Sequence, residues 1–366
     1  MKKKTTALFI SALLALGALT GCGGSSTSSA APAAAKSAAS GSAAKAAAGD
    51  AKYVWRMAHE EYDGDMQDVY CKEFAQKLAE KSNGQIDLEI YPVGQIGDAL
   101  QQCELLQNGG IEFAIISPGN TGTVVPENQL FSLHFLFPED MQKTQEVLKT
   151  SEALNTMLSN KYLEKKIKPL SYWTEGAMEW TSNKPLHSPE DFKGMKFRTM
   201  QSPMIIAAYE AYGANPTPMS YTEVYSGLQL NMIEGQENPI SAIYTSKFYE
   251  VQKYLTEANS NLYVTATCVN PDFYNSLPDD IKKIIDESIQ EMIPRSFEIQ
   301  EKLNGEALDK IKAASDIKIE QLTEEERAAF KEKAKAAYDR YAKIVGSDGE
   351  AILNKLMAEV AEIEKK

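Results

Sequence analysis

The sequence predicts an α/β protein with a mainly parallel sheet and a second domain. The 366-residue chain alternates strand-like apolar runs with amphipathic helical runs from Lys52 onward, a rhythm typical of parallel sheets covered by helices. A very long helical pattern runs from Pro278 to about Ala314, interrupted by Pro294, and a proline inside a helix kinks or breaks it. The part after Lys52 is long enough for two domains.

The first half of this part supplies a β-α-β-α-β order. Residues 53–58 form an apolar run that predicts a buried strand. A helix is predicted from Met66 to Lys81, because Tyr70, Phe74 and Leu78 recur at helical spacing. Alternation predicts a strand over 86–90, and a helix between Gly97 and Gly109 leads to a strand over 111–117.

The stretch from Lys196 to Tyr254 places polar groups where strands end and helices begin. Arg198 lies in a short strand before a helix over 203–212. A Ser-x-x-Glu capping box at Ser220 is expected to open another helix, and residues 234–239 are expected to form a loop before a third. In open α/β sheets, small ligands bind at that edge.

The remaining elements connect these two parts. Helices are expected over 141–165, from Thr323 to about Val345 through a second capping box, and from Gly349. A strand over 168–173 leads into a hinge at Thr174–Gly176, and a strand over 262–270 returns to the first part.

The first fifty residues carry an export pattern. Basic residues precede an apolar run from Ala7 to Leu19, which is too short to span a membrane and fits a signal peptide. Leu-Thr-Gly-Cys follows, so we expect Cys22 to be lipidated after removal of residues 1–21; ordinary secretion is the alternative. Residues 22–51 contain the small-residue run expected of a flexible tether.

The net charge and the cysteine spacing argue against two classes of function, nucleic-acid binding and metal binding through cysteines. The net charge of −13 argues against a nucleic-acid partner. Cys71, Cys103 and Cys268 show no metal-ligand spacing, and we expect buried thiols, with a Cys71–Cys103 disulfide as the alternative.

Several motifs occur together in the order found in one family. They include Arg198 after Lys-Gly-Met-Lys, the run Gly213–Met219, the run Gly235–Pro239 and the run Lys247–Tyr254. These motifs resemble the DctP-type extracytoplasmic solute-binding proteins of TRAP transporters, and the resemblance covers most of the chain after the tether. The earlier runs Tyr91–Gly97, Leu130–Pro138 and Thr181–Leu186 are also similar to family segments.

The resemblance implies a two-lobe, periplasmic-binding-protein-like (Venus flytrap) fold with a long helix spanning both lobes. We expect lobe I to comprise 52–175 plus 264–303, and lobe II to comprise 176–263 plus 304–366. It further implies a receptor that binds a small organic acid and delivers it to the membrane subunits of a TRAP transporter. We expect a monomer without a cofactor, anchored outside the cytoplasmic membrane through Cys22.

Arg198 is the central ligand-binding candidate. Its guanidinium group offers a planar fork that matches a carboxylate with two hydrogen bonds. In the family, the arginine at this motif position holds the substrate carboxylate. A surface ion pair is the alternative role.

Other candidates follow from the same motifs. The family's matching asparagine faces the ligand, which implies this role for Asn238; an ordinary helix cap is the alternative. We expect Tyr221 to pack against the ligand and Gln201 to line the pocket. Glu223 is expected to hold Arg198 from behind, or to serve only as the capping partner of Ser220.

One position departs from the family. Many sugar-acid members carry a second arginine where this chain has Met178, so an extensively polar ligand is not expected. Met178, Trp173 and Trp180 are expected to form an apolar wall, with core packing as the alternative for the tryptophans.

The end of the first strand supplies candidates from the other lobe. His59 and Glu60 are expected to face the cleft, and Ser117 and Asn120 to line it at the end of the third strand. The acidic run after His59 lacks zinc spacing and a calcium-loop glycine, so we expect no metal.

No catalytic motif selects an enzyme class. The sequence lacks Gly-x-Ser-x-Gly, His-Glu-x-x-His and a phosphate-binding glycine loop. We therefore expect no enzymatic activity. A sensory lipoprotein with the same fold and a surface hydrolase remain the alternatives.

Overall fold

The structure is a computed structural model that describes residues 51–365. The expected signal peptide, the expected lipidation site Cys22 and all but the last residue of the expected tether lie outside the described residues. No helix in the described part of the chain is long and apolar enough to cross a membrane.

Strands and helices alternate along the described residues. The strands are β1 (Tyr53–Ala58), β2 (Ile86–Tyr91), β3 (Phe113–Ile116), β4 (Lys168–Ala177), β5 (Glu179–Ser182), β6 (Lys196–Thr199), β7 (Asn215–Pro218), β8 (Gly235–Asn238), β9 (Tyr254–Glu257), β10 (Leu262–Val269) and β11 (Lys318–Gln321). The α-helices are α1 (Met66–Lys81), α2 (Ala99–Gln107), α3 (Pro118–Thr121), α4 (Met141–Thr150), α5 (Ser159–Glu164), α6 (Pro203–Tyr212), α7 (Val224–Gln229), α8 (Ile240–Thr245), α9 (Pro271–Ser276), α10 (Asp279–Ala314) and α11 (Glu324–Glu364). Short 3₁₀ helices cover Pro126–Ser132, Pro189–Phe192, Tyr221–Glu223 and Phe248–Glu250, and a π-helix covers Ala153–Leu158.

Two sheets define two lobes. The first lobe is built on a five-stranded sheet in the order β2-β1-β3-β10-β4, and the second on a six-stranded sheet in the order β11-β9-β5-β8-β6-β7. In each sheet one strand runs against the rest: β10 is antiparallel to β3 and β4, and β5 is antiparallel to β8 and β9. The sheets are therefore mainly parallel, as predicted, with one reversed strand apiece.

The reversed strands are those that have just crossed between lobes. β4 of the first sheet continues into β5 of the second, and β9 of the second continues into β10 of the first. Gly176 lies at the first crossing with φ of +117°, a conformation that favours glycine. Asn304 of α10 donates to the Glu175 carbonyl at 2.8 Å and accepts from the Ser241 amide at 2.9 Å. One helix side chain therefore joins the crossing strand to the second lobe.

α10 is the long helix that the sequence predicts, and it packs on both lobes. Its first half contributes Ile285 and Ile289 to the core around Phe74 and Phe113, and its second half contributes Ala307 and Ile311 to the core around Val224 and Ile243. Pro294 lies within the helix without ending it.

The C-terminal helix α11 packs on both lobes, whereas the sequence places residues 304–366 in lobe II alone. α11 is kinked at Gly346, where φ is +66°, close to the predicted boundary between two helices. Its early residue Phe330 packs in the second lobe, whereas Leu353 and Leu356 join the core that contains Leu130 and Leu154. Assigning all of 304–366 to the second lobe is therefore too simple, because the apolar face after the kink is buried against the 126–164 helices.

Two local predictions in the second lobe are wrong. Residues Gly235–Asn238 form the buried strand β8 and not a loop, because pairing with β5 and β6 satisfies their backbone groups. At Ser220 no side-chain cap forms; the Glu223 amide donates to the Ser220 carbonyl instead, which closes a 3₁₀ turn before α7.

The cysteines of the described part are free thiols. Cys71, Cys103 and Cys268 are all buried, and no disulfide joins them. The alternative Cys71–Cys103 bridge is not present.

Candidate functional site

A cavity lies between the two lobes and is lined by residues of both. Its first-lobe lining includes Glu60 and Asn120, which follow β1 and β3, and its second-lobe lining includes Gln201 and Tyr221. These four residues were expected at a cleft from the sequence, and the structure brings them together. The remaining lining residues are Val93, Asp98, Ala99, Leu100, Met219 and Ser220.

Arg198 lies below the second-lobe wall of this cavity, on β6. It is 2% exposed, and its Nε and Nη2 donate to the carbonyl of the lining residue Met219 at 3.1 and 2.9 Å. Within residues 51–365 no carboxylate oxygen lies within 4.0 Å of its side-chain nitrogens. Burial lowers the pKa of Arg198, yet a guanidinium remains protonated in proteins. The site thus contains a buried cation without a paired anion among the described residues.

The carboxyl group whose charge interacts with Arg198 is that of Glu237, a residue that is not among the predicted site residues. Glu237 is buried in β8 and accepts a 2.7 Å hydrogen bond from the Tyr209 hydroxyl. Burial raises the pKa of Glu237 to about 7, and the Arg198 charge opposes that rise. The expected contact of Glu223 with Arg198 is not present, because Glu223 is exposed on the 3₁₀ turn.

Asn238 is buried beside these residues at the end of β8. Its side-chain amide donates to Gln236, whose own amide donates to the Thr181 hydroxyl of β5 at 3.0 Å. The chain of amides fixes the orientation of Asn238. Gln236 and Glu237 both belong to the family-like run Gly235–Pro239, but residues 235–238 include no apolar side chain whose alternation would indicate a strand.

Glu60 is the buried carboxyl group on the first-lobe wall. Ser117 donates to it through its backbone amide at 3.0 Å and through its hydroxyl, and Asn120 donates through its side-chain amide at 2.8 Å. Burial raises the pKa of Glu60 to about 7, although these donors favour its charged form. The predicted trio of Glu60, Ser117 and Asn120 therefore forms one hydrogen-bonded unit.

A second, smaller space is also lined by residues of both lobes. Met178 and Ser117, both predicted site residues, line it together with Met200, Asn261 and Tyr263. Its wall is mostly apolar, as expected from the replacement of an arginine by Met178.

Six predicted site residues line neither cavity: Arg198, Asn238 and Glu223, described above, and Trp173, Trp180 and His59. Trp173 stacks on Tyr70 with ring centroids 4.4 Å apart, and Trp180 packs against Phe192 and Phe330. Both indoles therefore serve the lobe cores, which was the alternative left open by the sequence.

His59 also points away from the cleft. It is fully buried, and its Nε2 lies 3.5 Å from Asp68 Oδ1 while its Nδ1 accepts from the Glu61 amide at 3.4 Å. The expectation that His59 contacts the ligand is not supported by this geometry, since the ring is held by its own loop and α1. No metal-binding cluster of three or more His, Cys, Asp or Glu residues occurs between residues 51 and 365.

The sequence matches a family profile described as bacterial extracellular solute-binding protein, family 7, over residues 57–344. The ectoine-binding periplasmic protein TeaA of Halomonas elongata is 36% identical over 313 residues, which are 85% of this chain and 91% of that protein. The C4-dicarboxylate-binding protein DctB of Bacillus subtilis is 29% identical over 313 residues, 85% of this chain and 87% of DctB.

Solved structures show the same similarity. The ectoine-binding protein of the TeaABC TRAP transporter of Halomonas elongata superposes with a TM-score of 0.82 at 36% identity, over 84% of this chain and 99% of that one. A TRAP periplasmic solute-binding protein from Desulfovibrio salexigens with bound orotic acid gives a TM-score of 0.81 at 29% identity, over 85% and 99% of the two chains.

Proposed function

The chain belongs to family 7 of the bacterial extracellular solute-binding proteins, and on this premise we propose that it is the solute receptor of a TRAP transporter. Its two-lobe fold is the periplasmic-binding-protein fold of its structural neighbours. A small organic acid binds in the interlobe cleft and is delivered to the membrane subunits. The relatives named for ectoine, C4-dicarboxylates and orotic acid all take molecules of this class.

The observation that carries this proposal is the unpaired charge of Arg198. A buried cation is costly unless an anion or several hydrogen bonds compensate it. Here only the Met219 carbonyl accepts from it within the described residues. A ligand carboxylate, or a sulfonate, completes the pairing, and closure around it excludes water and strengthens the bonds. Asn238 and Tyr221 lie on the same lobe and supply further polar contacts.

Glu60 favours a ligand that also carries N–H donors. A carboxylate on the first-lobe wall repels a second ligand carboxylate but attracts a cation or an amide N–H. Ectoine contains one carboxylate and one amidinium group, and so offers an anion to Arg198 and donors to Glu60. A zwitterion of this kind is therefore the ligand class that the two walls fit best, with a dicarboxylate as the comparison.

Anchoring completes the proposal. Lipidation of Cys22 attaches the receptor to the outer face of the cytoplasmic membrane, and the segment 22–51 gives it reach. The receptor acts as a monomer and performs no covalent chemistry. Mass spectrometry of the mature protein isolated from membranes should find Cys22 as its acylated first residue, whereas an unmodified Cys22 would contradict the anchor.

Ligand titration tests the receptor function. Purified protein with Cys22→Ser is screened by thermal shift and then by isothermal titration calorimetry with ectoine, succinate and orotate, since a ligand that binds only the folded state raises its stability. We expect stoichiometric binding of at least one of these acids, recovered chemically unchanged. Turnover of the ligand, or no binding of any of the three, would contradict the proposal.

A matched variant tests the role of Glu60. Glu60→Gln preserves the size of the side chain and its acceptor oxygen but removes the charge. We expect it to weaken ectoine binding and to strengthen succinate binding. Equal changes for the two ligands would refute the role assigned to Glu60.

A further inference from the structure

Gln67 lies behind Glu60, the carboxyl group on the first-lobe wall of the cavity. It is fully buried in the first turn of α1. Its side-chain Oε1 accepts from the Glu60 backbone amide at 2.8 Å, and its Nε2 donates to the Glu175 carboxyl group at 2.8 Å. A backbone amide can only donate, so it selects the carbonyl oxygen of Gln67 and turns the NH₂ group toward Glu175. Gln67 therefore links the first-lobe wall to β4.

Glu175 in turn belongs to the crossing between the lobes. It immediately precedes Gly176, where φ is +117°, and its backbone carbonyl accepts from the side chain of Asn304 at 2.8 Å. A Cβ atom built on Gly176 would lie 2.7 Å from Nδ2 of Asn304, so the side chain of α10 packs closely on the crossing strand. Asn304 thus holds the strand at the point where it changes lobe.

Asn304 also reaches the second-lobe wall. Its Oδ1 accepts from the Ser241 backbone amide at 2.9 Å, in the first turn of α8. The N-cap residue of α8, Pro239, provides no side-chain cap, so Asn304 supplies an acceptor for an amide that the helix leaves unpaired. Since α8 begins two residues after Asn238, the same contact holds the end of β8 that carries this ligand-binding candidate.

We propose that Gln67 and Asn304 are positioning residues that couple the two walls of the cleft through the crossing strand. Together with Glu175 they form one chain of hydrogen bonds from Glu60 to Ser241. Neither Gln67 nor Asn304 lines either of the two cavities. The inference rests on the proposed receptor function, because it concerns affinity for the same ligand.

The chemistry of the two side chains explains the coupling. A carboxamide is a donor and an acceptor at once, so it can join a backbone N–H on one side to an oxygen on the other. Gln67 and Asn304 both do this, and both donate to Glu175, one to its carboxyl group and one to its carbonyl. Rotation of one lobe against the other turns the crossing strand, and each amide must follow it or lose a hydrogen bond. Breaking either link therefore frees one wall from the crossing.

Amide hydrogen exchange, measured by NMR, tests the chain without any ligand. The Glu60 amide should exchange about tenfold faster in Gln67→Met, which removes its acceptor. Gln76→Met is the matched control and should leave this rate unchanged, because Gln76 lies on the same helix but donates to Glu80 at the surface.

The same measurement on Asn304→Leu tests the coupling between the lobes. The Glu60 amide should again exchange faster, by at least about twofold, although Gln67 and Glu175 lie between the two residues. An unaltered Glu60 rate in Asn304→Leu would overturn the proposal. If Gln67→Met fails to fold, Asn304→Leu, at a half-buried position, still decides the question.

Calorimetry with ectoine, succinate and orotate provides the second test. For whichever acid binds tightest, Gln67→Met and Asn304→Leu should each weaken binding by about 2- to 30-fold. Because either change breaks the same chain, the double variant should bind no more weakly than the weaker of the two single variants, whereas the effects of independent sites multiply in Kd. Gln76→Met combined with Asn304→Leu should bind like Asn304→Leu alone.

The outcomes separate the chain from the receptor function. A double variant weakened by the product of the two single effects, or unchanged affinity in both single variants, would refute the coupling while leaving the receptor function intact. If wild type binds none of the three acids, the receptor function is contradicted, and the exchange rate of the Glu60 amide in Asn304→Leu still decides whether the chain couples the lobes.

Discussion

The contact between Gly119 and Met200 gives the sharpest prediction about lobe closure. Gly119 lies on α3 of the first lobe, and Met200 follows β6 of the second. A Cβ atom built on Gly119 would lie 2.5 Å from both Sδ and Cε of Met200. Because Gly119 has an ordinary helical φ, alanine is acceptable in the open receptor and clashes only when the lobes meet.

The cost of this clash can be estimated. The colliding atoms are the flexible end of Met200, whereas its Cβ is 3.5 Å away. Relieving the overlap requires a new rotamer in a packed region, which costs about 1–2 kcal/mol. Since 1.4 kcal/mol is tenfold in an equilibrium constant, Gly119→Ala should weaken ligand binding by about 5- to 30-fold.

Calorimetric titration and ligand-free thermal denaturation together test this reasoning. We expect the Kd of Gly119→Ala to rise without a fall in its ligand-free Tm, and Met200→Ala to restore binding in the double variant. Gly305→Ala is the matched control, because a Cβ there meets no atom within 4 Å. Unchanged affinity of Gly119→Ala, or no rescue by Met200→Ala, would refute the closed contact.

Two further predictions concern buried titratable groups. Burial raises the pKa of Glu175, beside Glu61, to about 8. The folded state therefore holds a proton that the unfolded chain has lost, and stability should fall as the pH rises from about 4 to about 8; urea denaturation of Glu175→Gln should show a smaller fall, and an unaltered pH profile would contradict this assignment. Burial also raises the pKa of the Cys71 and Cys268 thiols, so iodoacetamide should modify Cys71, Cys103 and Cys268 only after denaturation, as read by peptide mass spectrometry. Rapid labelling of the native protein would argue against their burial.

The sequence predicts those elements whose local pattern agrees with their tertiary environment. α1 begins and ends at the predicted residues because its apolar face and its Asn83-Gly84 stop are both local. Strand β8 escapes prediction because Gly-Gln-Glu-Asn has no apolar alternation. Its stability comes from pairing with β5, which is distant in sequence.

The candidate site shows the same contrast between residues with a local sequence signal and residues placed by long-range contacts. Arg198 is predicted from sequence because it lies at a motif position that resembles the family's arginine, and Glu60 because it ends a predicted strand. The tryptophans are misplaced because their hydrophobicity fits a pocket wall and a core equally well. The position of Glu237 depends on the pairing of β8 within the second lobe, and the Gly119–Met200 contact depends on which segments meet across the lobes. No local pattern encodes either.

The most direct test of the account is the Kd of Arg198→Met for the best carboxylate ligand, measured by calorimetry against wild type. Methionine fills much of the same volume but provides no charge or hydrogen-bond donor. Hydrogen bonds to charged groups contribute about 1.5–3 kcal/mol each, so losing a two-bond fork should weaken binding by at least about 100-fold. Arg198→Lys should retain part of the affinity, since it keeps the charge without the fork. If Arg198→Met binds the ligand as tightly as wild type, Arg198 does not hold the carboxylate and the account fails.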